Sequence, residues 1–90
     1  IAKNDVAISS ILILIRKLDE ASVLMHNALD NFEKIKSYKD ISNGYGKIGI
    51  IFLQKRQDDK ALEYLKKQYD LSTKINYLFG KQQAIGNIGI

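Results

Sequence analysis

The chain has 90 residues, a formal net charge of +4, and neither cysteine nor proline. A chain of this length forms one domain at most, and a single globular core in it would be marginal. The lack of cysteine excludes a disulfide framework and a thiolate metal site, and it fits a reducing compartment, so we expect a cytoplasmic location. The lysines are spread along the chain, which favours a solvated surface over a nucleic-acid-binding patch.

The most apolar segment is Ile11–Ile15 with the residues just before it. It is too short to span a bilayer, so membrane insertion is not expected. It also lacks a basic leader and a small-residue cleavage site, which argues against a signal peptide. Residue 1 is Ile rather than Met, and we expect the chain to start inside a longer gene product.

An internal repeat organises the chain. The segment Tyr45–Phe52 returns 40 positions later, where Gly46, Ile48 and Gly49 recur as Gly86, Ile88 and Gly89, and a fainter copy covers residues 5–12. A fixed period of this size is the signature of a repeat architecture. We therefore predict one domain over residues 1–90, with repeat 1 at about 2–41, repeat 2 at about 42–81 and a partial repeat 3 at about 82–90.

The first unit reads as two helices. Residues 2–15 are apolar on nearly every side, and a polar break follows in which Asp19 is the predicted N-cap. A second helix is predicted from apolar residues at three- and four-residue spacing: Ala21, Leu24, Met25, Ala28, Leu29, Phe32 and Ile35.

The second unit repeats this plan. We predict a helix from about Tyr38 to Lys55, a break capped by Asp58 or Asp59, and a partner helix that ends near Ile75. A further helix is predicted from about Leu78 to the end of the chain. The turn dipeptide Asn43-Gly44 and the strand-like composition of Ile11–Ile15 argue for β-structure, but a strand would leave the helix after Asp19 without a partner and would ignore the period.

The spacing within the second unit resembles the tetratricopeptide repeat, whose pattern is W-x2-L-G-x2-Y followed by A-x3-F. Tyr45-x2-Ile48-Gly49-x2-Phe52 matches the first half, and Ala61-x3-Leu65 matches the second half. The period of 40 is longer than the usual ~34 residues. It is similar to the longer-repeat branch found in G-protein signalling modulators and in many bacterial signalling proteins.

The resemblance implies an all-α fold, in which tandem antiparallel helix hairpins form a right-handed tetratricopeptide α-solenoid. About two and a third repeats would be present, as a fragment of a longer array. It also implies a non-catalytic protein-binding module, part of a larger scaffold or signalling protein, that holds a peptide or a partner helix in its concave groove. The alternative is self-association into homodimers or arrays through exposed apolar end helices.

In this family the first helix of each repeat lines the concave surface. The resemblance therefore places these candidate groove residues: Lys3, Ser10, Asn43, Lys47, Ile50, Gln54, Gln83 and Asn87. Gly46 is expected on the same face. The amides and Lys47 suit the backbone or a carboxylate of an extended peptide, while Ile50 offers an apolar floor.

No catalytic, metal or cofactor site is predicted. Gly44–Gly49 is a literal G-x-G-x-x-G, but a dinucleotide loop needs a buried strand before it, and residues 38–43 do not read as one. His26 is the only histidine and falls off the apolar stripe, so a solvated surface position is expected. The paired carboxylates Asp19-Glu20 and Asp58-Asp59 fall at helix starts, where negative charge is favourable.

Overall fold

The computed structural model describes residues 2–88, with the backbone alone for residues 2–5 and 7. Over this range the chain forms five α-helices and no strand: α1 Ala2–Leu14, α2 Leu18–Lys34, α3 Tyr38–Gln54, α4 Asp58–Lys74 and α5 Leu78–Ile88. The all-helical prediction is confirmed for these residues. The segment Asn43-Gly44 lies inside α3 and Ile11 lies inside α1, so the local β-signals are overridden by helix packing.

Every connection between the described helices has the same three-residue geometry. One residue in each turn has a positive φ: Arg16 (62°), Lys36 (55°), Arg56 (61°) and Asn76 (57°), spaced 20 positions apart. At the first turn, the Arg16 amide donates to the Ile13 carbonyl and the Lys17 amide donates to the Leu12 carbonyl, and the other turns repeat this pairing. This is the Schellman motif, which here satisfies the last carbonyls of α1 to α4 without glycine.

The predicted N-caps Asp19, Asp58 and Asp59 are wrong. The caps are Lys17 for α2 and Gln57 for α4, and neither side chain bonds to the helix start. The reason is the compact turn, because the residue that closes each Schellman motif also precedes the next helix. The carboxylates therefore lie in the first helical turn, where they still favour the positive end of the helix dipole.

The helices pack with their neighbours along the chain, and they form two layers. The backbones of α1 and α3, and of α3 and α5, also lie close together, whereas no such backbone approach joins α2 and α4 within the described residues. These two helices meet through side chains, with 6.4 Å between the ring centroids of His26 and Tyr64. The fold measures 31 × 30 × 17 Å along its principal axes. This thickness matches two layers of helices at the usual interaxial distance of about 8–10 Å, with the odd-numbered helices forming one continuous layer.

The core lies between these layers. Met25 on α2, Ile48 and Ile51 on α3 and Leu65 on α4 are fully enclosed. Most of the predicted α2 stripe is buried, but the prediction for Ile35 is wrong. This residue is 71% exposed, because it is the C-cap of α2 and lies beyond the last buried turn.

Two glycines in α3 allow neighbouring helices to approach closely. A Cβ atom on Gly49 would lie 2.7 Å from Leu65 Cδ2 of α4, and one on Gly44 would lie 2.7 Å from Leu29 Cδ2 of α2. Both distances are well inside van der Waals contact. These glycines lower the intrinsic stability of α3 by roughly 1 kcal/mol each relative to alanine, and the close packing on both sides of the helix explains their presence.

Candidate functional site

A cleft of about 300 Å³ opens where the layer of odd-numbered helices meets α2. Its polar lining comes from α3 and α5: Asp40, Asn43, Lys47 and Gln83. Its apolar lining comes from three different helices: Val6, Phe32 and Phe79. Gly44 completes the lining on α3, so the cleft combines a polar strip with apolar walls.

The cleft brings together three of the residues predicted for the groove. Asn43 and Lys47 lie one turn apart on α3, and Gln83 reaches the same space from α5. Sequence reasoning missed Asp40, although its spacing of three residues from Asn43 places it on the same helical face. It also missed Phe32 and Phe79, whose positions depend on how α2 and α5 pack.

The other predicted groove residues do not line this cleft. Ile50 and Gln54 continue the same face toward the C-terminal end of α3, and Ile50 packs against the core. The Ser10 hydroxyl donates to the Val6 carbonyl of its own helix at 3.1 Å. Asn87 is half-buried on α5. Lys3 lies in α1, but its side chain is outside the described part of the structure.

The expectation that Gly46 faces a ligand is wrong. Gly46 is buried, and a Cβ atom there would lie 2.6 Å from Nε2 of Gln68 on α4. Gln68 is itself fully enclosed, so its amide fills the space beside the glycine. The counterpart Gly86 is exposed, with no atom near its missing Cβ.

The hydrogen bonds around the cleft give it a defined polarity. The Tyr77 hydroxyl donates to Asn43 Oδ1 at 3.2 Å, and the Gln68 Nε2 amide donates to Gln83 Oε1 at 2.8 Å. Both amide oxygens are thus engaged from within the protein, which leaves the NH₂ groups of Asn43 and Gln83 as donors. With the Lys47 ammonium, the cleft offers three N–H donor groups to a ligand.

At the opposite end of this strip, Asp40 supplies the one carboxylate of the cleft lining. Its Oδ2 atom accepts a hydrogen bond of 2.6 Å from the Ser37 hydroxyl, one turn earlier. Ser37 is the N-cap residue of α3, yet its side chain binds Asp40 and not the helix amides. The bond restrains the carboxylate beside the cleft and leaves its other oxygen to accept from a ligand.

The glycine motif does not form a phosphate loop. Gly44–Gly49 lies wholly within α3, and residues 38–43 are the first turns of the same helix. A dinucleotide site needs a strand, a tight turn and then a helix N-terminus. His26 is exposed as expected. Within the described residues no group of three or more metal-ligating side chains comes together.

An aromatic cluster occupies the opposite side of the fold. The Tyr64 ring stacks on Phe52 with 5.7 Å between centroids, and it lies 6.2 Å from Tyr45. The Lys67 ammonium lies 4.9 Å from the Tyr64 centroid, within the range of a cation–π contact. Burial raises the pKa of Tyr45, and the charges of Glu33 and Tyr64 raise it further. The basic and aromatic groups contact one another within the protein, which favours a role in packing for this cluster.

Comparisons of the chain with family models, with curated proteins and with solved structures find no match. None of the described helices is both long and apolar enough to cross a membrane.

Proposed function

We propose that this chain is a segment of a tetratricopeptide-type solenoid and acts as a non-catalytic module that binds a peptide or a partner helix. The order of helix contacts supports this proposal. In stacked hairpins of this kind, each hairpin packs on the next and the first helices form an inner layer. Close backbone approaches from α1 to α3 and from α3 to α5, with none between α2 and α4 in the described residues, fit that arrangement.

The observation that carries the binding proposal is the convergence of Asn43, Lys47 and Gln83 on one cleft with apolar walls. Ligand sites are typically concave, mostly apolar and provided with a few polar groups that fix orientation. A larger scaffold or signalling protein would use this surface to recruit a partner, with the cleft in the concave face of the array.

The test is selection of binding peptides from a random linear library displayed on phage, with the intact 90-residue chain as bait. Lys47→Ala should reduce the affinity for the selected peptides about tenfold, as expected for a lost charge-assisted hydrogen bond. Lys66→Ala, at an exposed position of α4, is the matched control and should leave the affinity unchanged. The opposite pattern, in which Lys66 matters and Lys47 does not, would place the binding surface elsewhere.

We infer self-association as a second candidate, because α1 leaves an aliphatic face uncovered. Ile8 and Ile11 are 48% and 59% exposed, whereas their counterparts one period later, Ile48 and Ile51, are completely buried. Ile15, seven residues after Ile8, extends this face and is 58% exposed. Contiguous apolar faces of this kind mark interaction surfaces.

Sedimentation equilibrium of the isolated chain separates the two candidates. Self-association through α1 predicts dimers or larger species at high concentration, which Ile11→Lys should convert to monomers. A wild-type chain that stays monomeric at high concentration would exclude this candidate and leave peptide binding as the remaining function.

A further inference from the structure

Two opposite charges share the cleft lining along α3. Asp40 and Lys47 are seven residues apart, which is about two helical turns or ~10 Å along the axis. Seven residues bring the two side chains back to nearly the same side of the helix, as their shared place in the lining requires. A ligand that lies along α3 would therefore meet a carboxylate at one end and an ammonium at the other.

Between these charges the cleft offers donors and apolar surface. The NH₂ groups of Asn43 and Gln83 remain free to donate, because their oxygens accept from Tyr77 and Gln68. A ligand that fits them must present acceptors, and peptide carbonyls are the acceptors available at every residue of an extended chain.

The apolar walls provide a place for apolar side chains of a ligand. Phe32 is 3% exposed and forms the closed side of the cleft, while Phe79 is 60% exposed and remains to be covered. The volume of about 300 Å³ suits one or two side chains. It is too small for an α-helix with a diameter of about 10–12 Å, so an extended segment fits better.

We propose that the cleft recognises an extended peptide that carries an acidic and a basic residue three positions apart, with an apolar residue between them. This inference rests on the proposed function. The spacing follows from geometry: a polyproline II segment has three residues per turn and rises ~3.1 Å per residue, so residues three apart face the same way about 9 Å apart. The acidic residue binds Lys47, the basic residue binds Asp40, and the amides of Asn43 and Gln83 receive main-chain carbonyls.

Charge exchange tests this proposal. The double variant Asp40→Lys/Lys47→Glu keeps the net charge and reverses the order of charges along α3. The control Lys66→Glu/Asp70→Lys also keeps the net charge and exchanges two opposite charges, four residues apart at exposed positions of α4. Peptides are selected from random libraries for binding to wild type and to each variant, and circular dichroism checks that all three chains are folded.

We expect wild type and the control to enrich the same order of acidic and basic residues at three-residue spacing, and the cleft variant to enrich the reverse order. Wild-type peptides should lose affinity for the cleft variant at least tenfold. Peptides that bind the cleft without this charge pattern would overturn the inference but leave the proposed function intact. Enrichment of helical peptides with charges seven residues apart would overturn the inference that the ligand is extended. Enrichment of no peptide at all would overturn both this inference and the proposed function.

Discussion

Replacing Gly49 with alanine tests whether α3 and α4 are as closely packed as the structure has them. Alanine in place of glycine within a helix adds roughly 1 kcal/mol of intrinsic helix stability. The new Cβ would lie 2.7 Å from Cδ2 and 2.8 Å from Cγ of Leu65, which is 1% exposed and cannot swing into solvent. Overpacking of a closed core costs about 1–3 kcal/mol. The net expectation for Gly49→Ala is a loss of roughly 0–2 kcal/mol.

Gly86 provides the matched control, because it occupies a helical position where a Cβ would meet no atom within 4 Å. Gly86→Ala should therefore gain up to about 1 kcal/mol. Urea unfolding followed by circular dichroism measures both variants, and the difference between them isolates the packing cost at about 1–3 kcal/mol.

A double-mutant cycle makes the test independent of helix propensity. In a Leu65→Ala background the clashing atoms are absent, and the Ala61 carbonyl at 3.5 Å is an ordinary contact. Gly49→Ala should then stabilise the chain by about 1 kcal/mol. If Gly49→Ala is already as stabilising as Gly86→Ala in the wild-type background, α4 does not close on α3 as described.

Three further predictions concern the turns, the repeat and pH. Lys36→Gly should stabilise the fold by about 0.5–1 kcal/mol, because glycine adopts the left-handed backbone at φ 55° without strain. Asn76→Gly should stabilise the fold less, because asparagine already tolerates this region. Thermal melts compare the two variants. Ile48→Ala should cost about 2–5 kcal/mol, whereas Ile8→Ala should cost well under half as much because Ile8 is 48% exposed; equal losses in urea unfolding would contradict the repeat-based core. The raised pKa of Tyr45 shows that the folded state favours the neutral phenol. Its contribution to the free energy of unfolding is therefore present below about pH 10 and is lost as the pH rises through the folded-state pKa. Urea midpoints from about pH 9 to pH 11 should fall more steeply for wild type than for Tyr45→Phe.

The helices were predictable because apolar spacing and the internal period carry that information directly. The start of α3 at Tyr38 and the positions of its buried residues Ile41, Ile48 and Ile51 agree with the pattern in the sequence. The turns were not predictable in detail. A Schellman motif is normally signalled by glycine, and here Arg16 and Lys36 occupy the left-handed position.

The candidate site was predictable only in part, because a cleft depends on the relative placement of several helices. The positions of Asn43 and Lys47 in the cleft follow from their spacing of four residues, which places both on one face of α3. The repeat predicts that Gly46 lies on that face, yet Gln68 reaches across from α4 and covers it. Phe79 joins the cleft only because α5 packs beside α3, and no periodicity within α5 indicates this.

We propose the cleft along α3 and α5 as the binding surface, and a two-dimensional NMR titration of the chain with a peptide selected from the library tests this assignment. We expect the amide shifts to change along Asp40–Lys47 and Phe79–Gln83, with little change along Ala61–Lys67 on the opposite side. Shift changes confined to Ala61–Lys67 would contradict binding at the cleft and assign it to the aromatic and basic surface of α4.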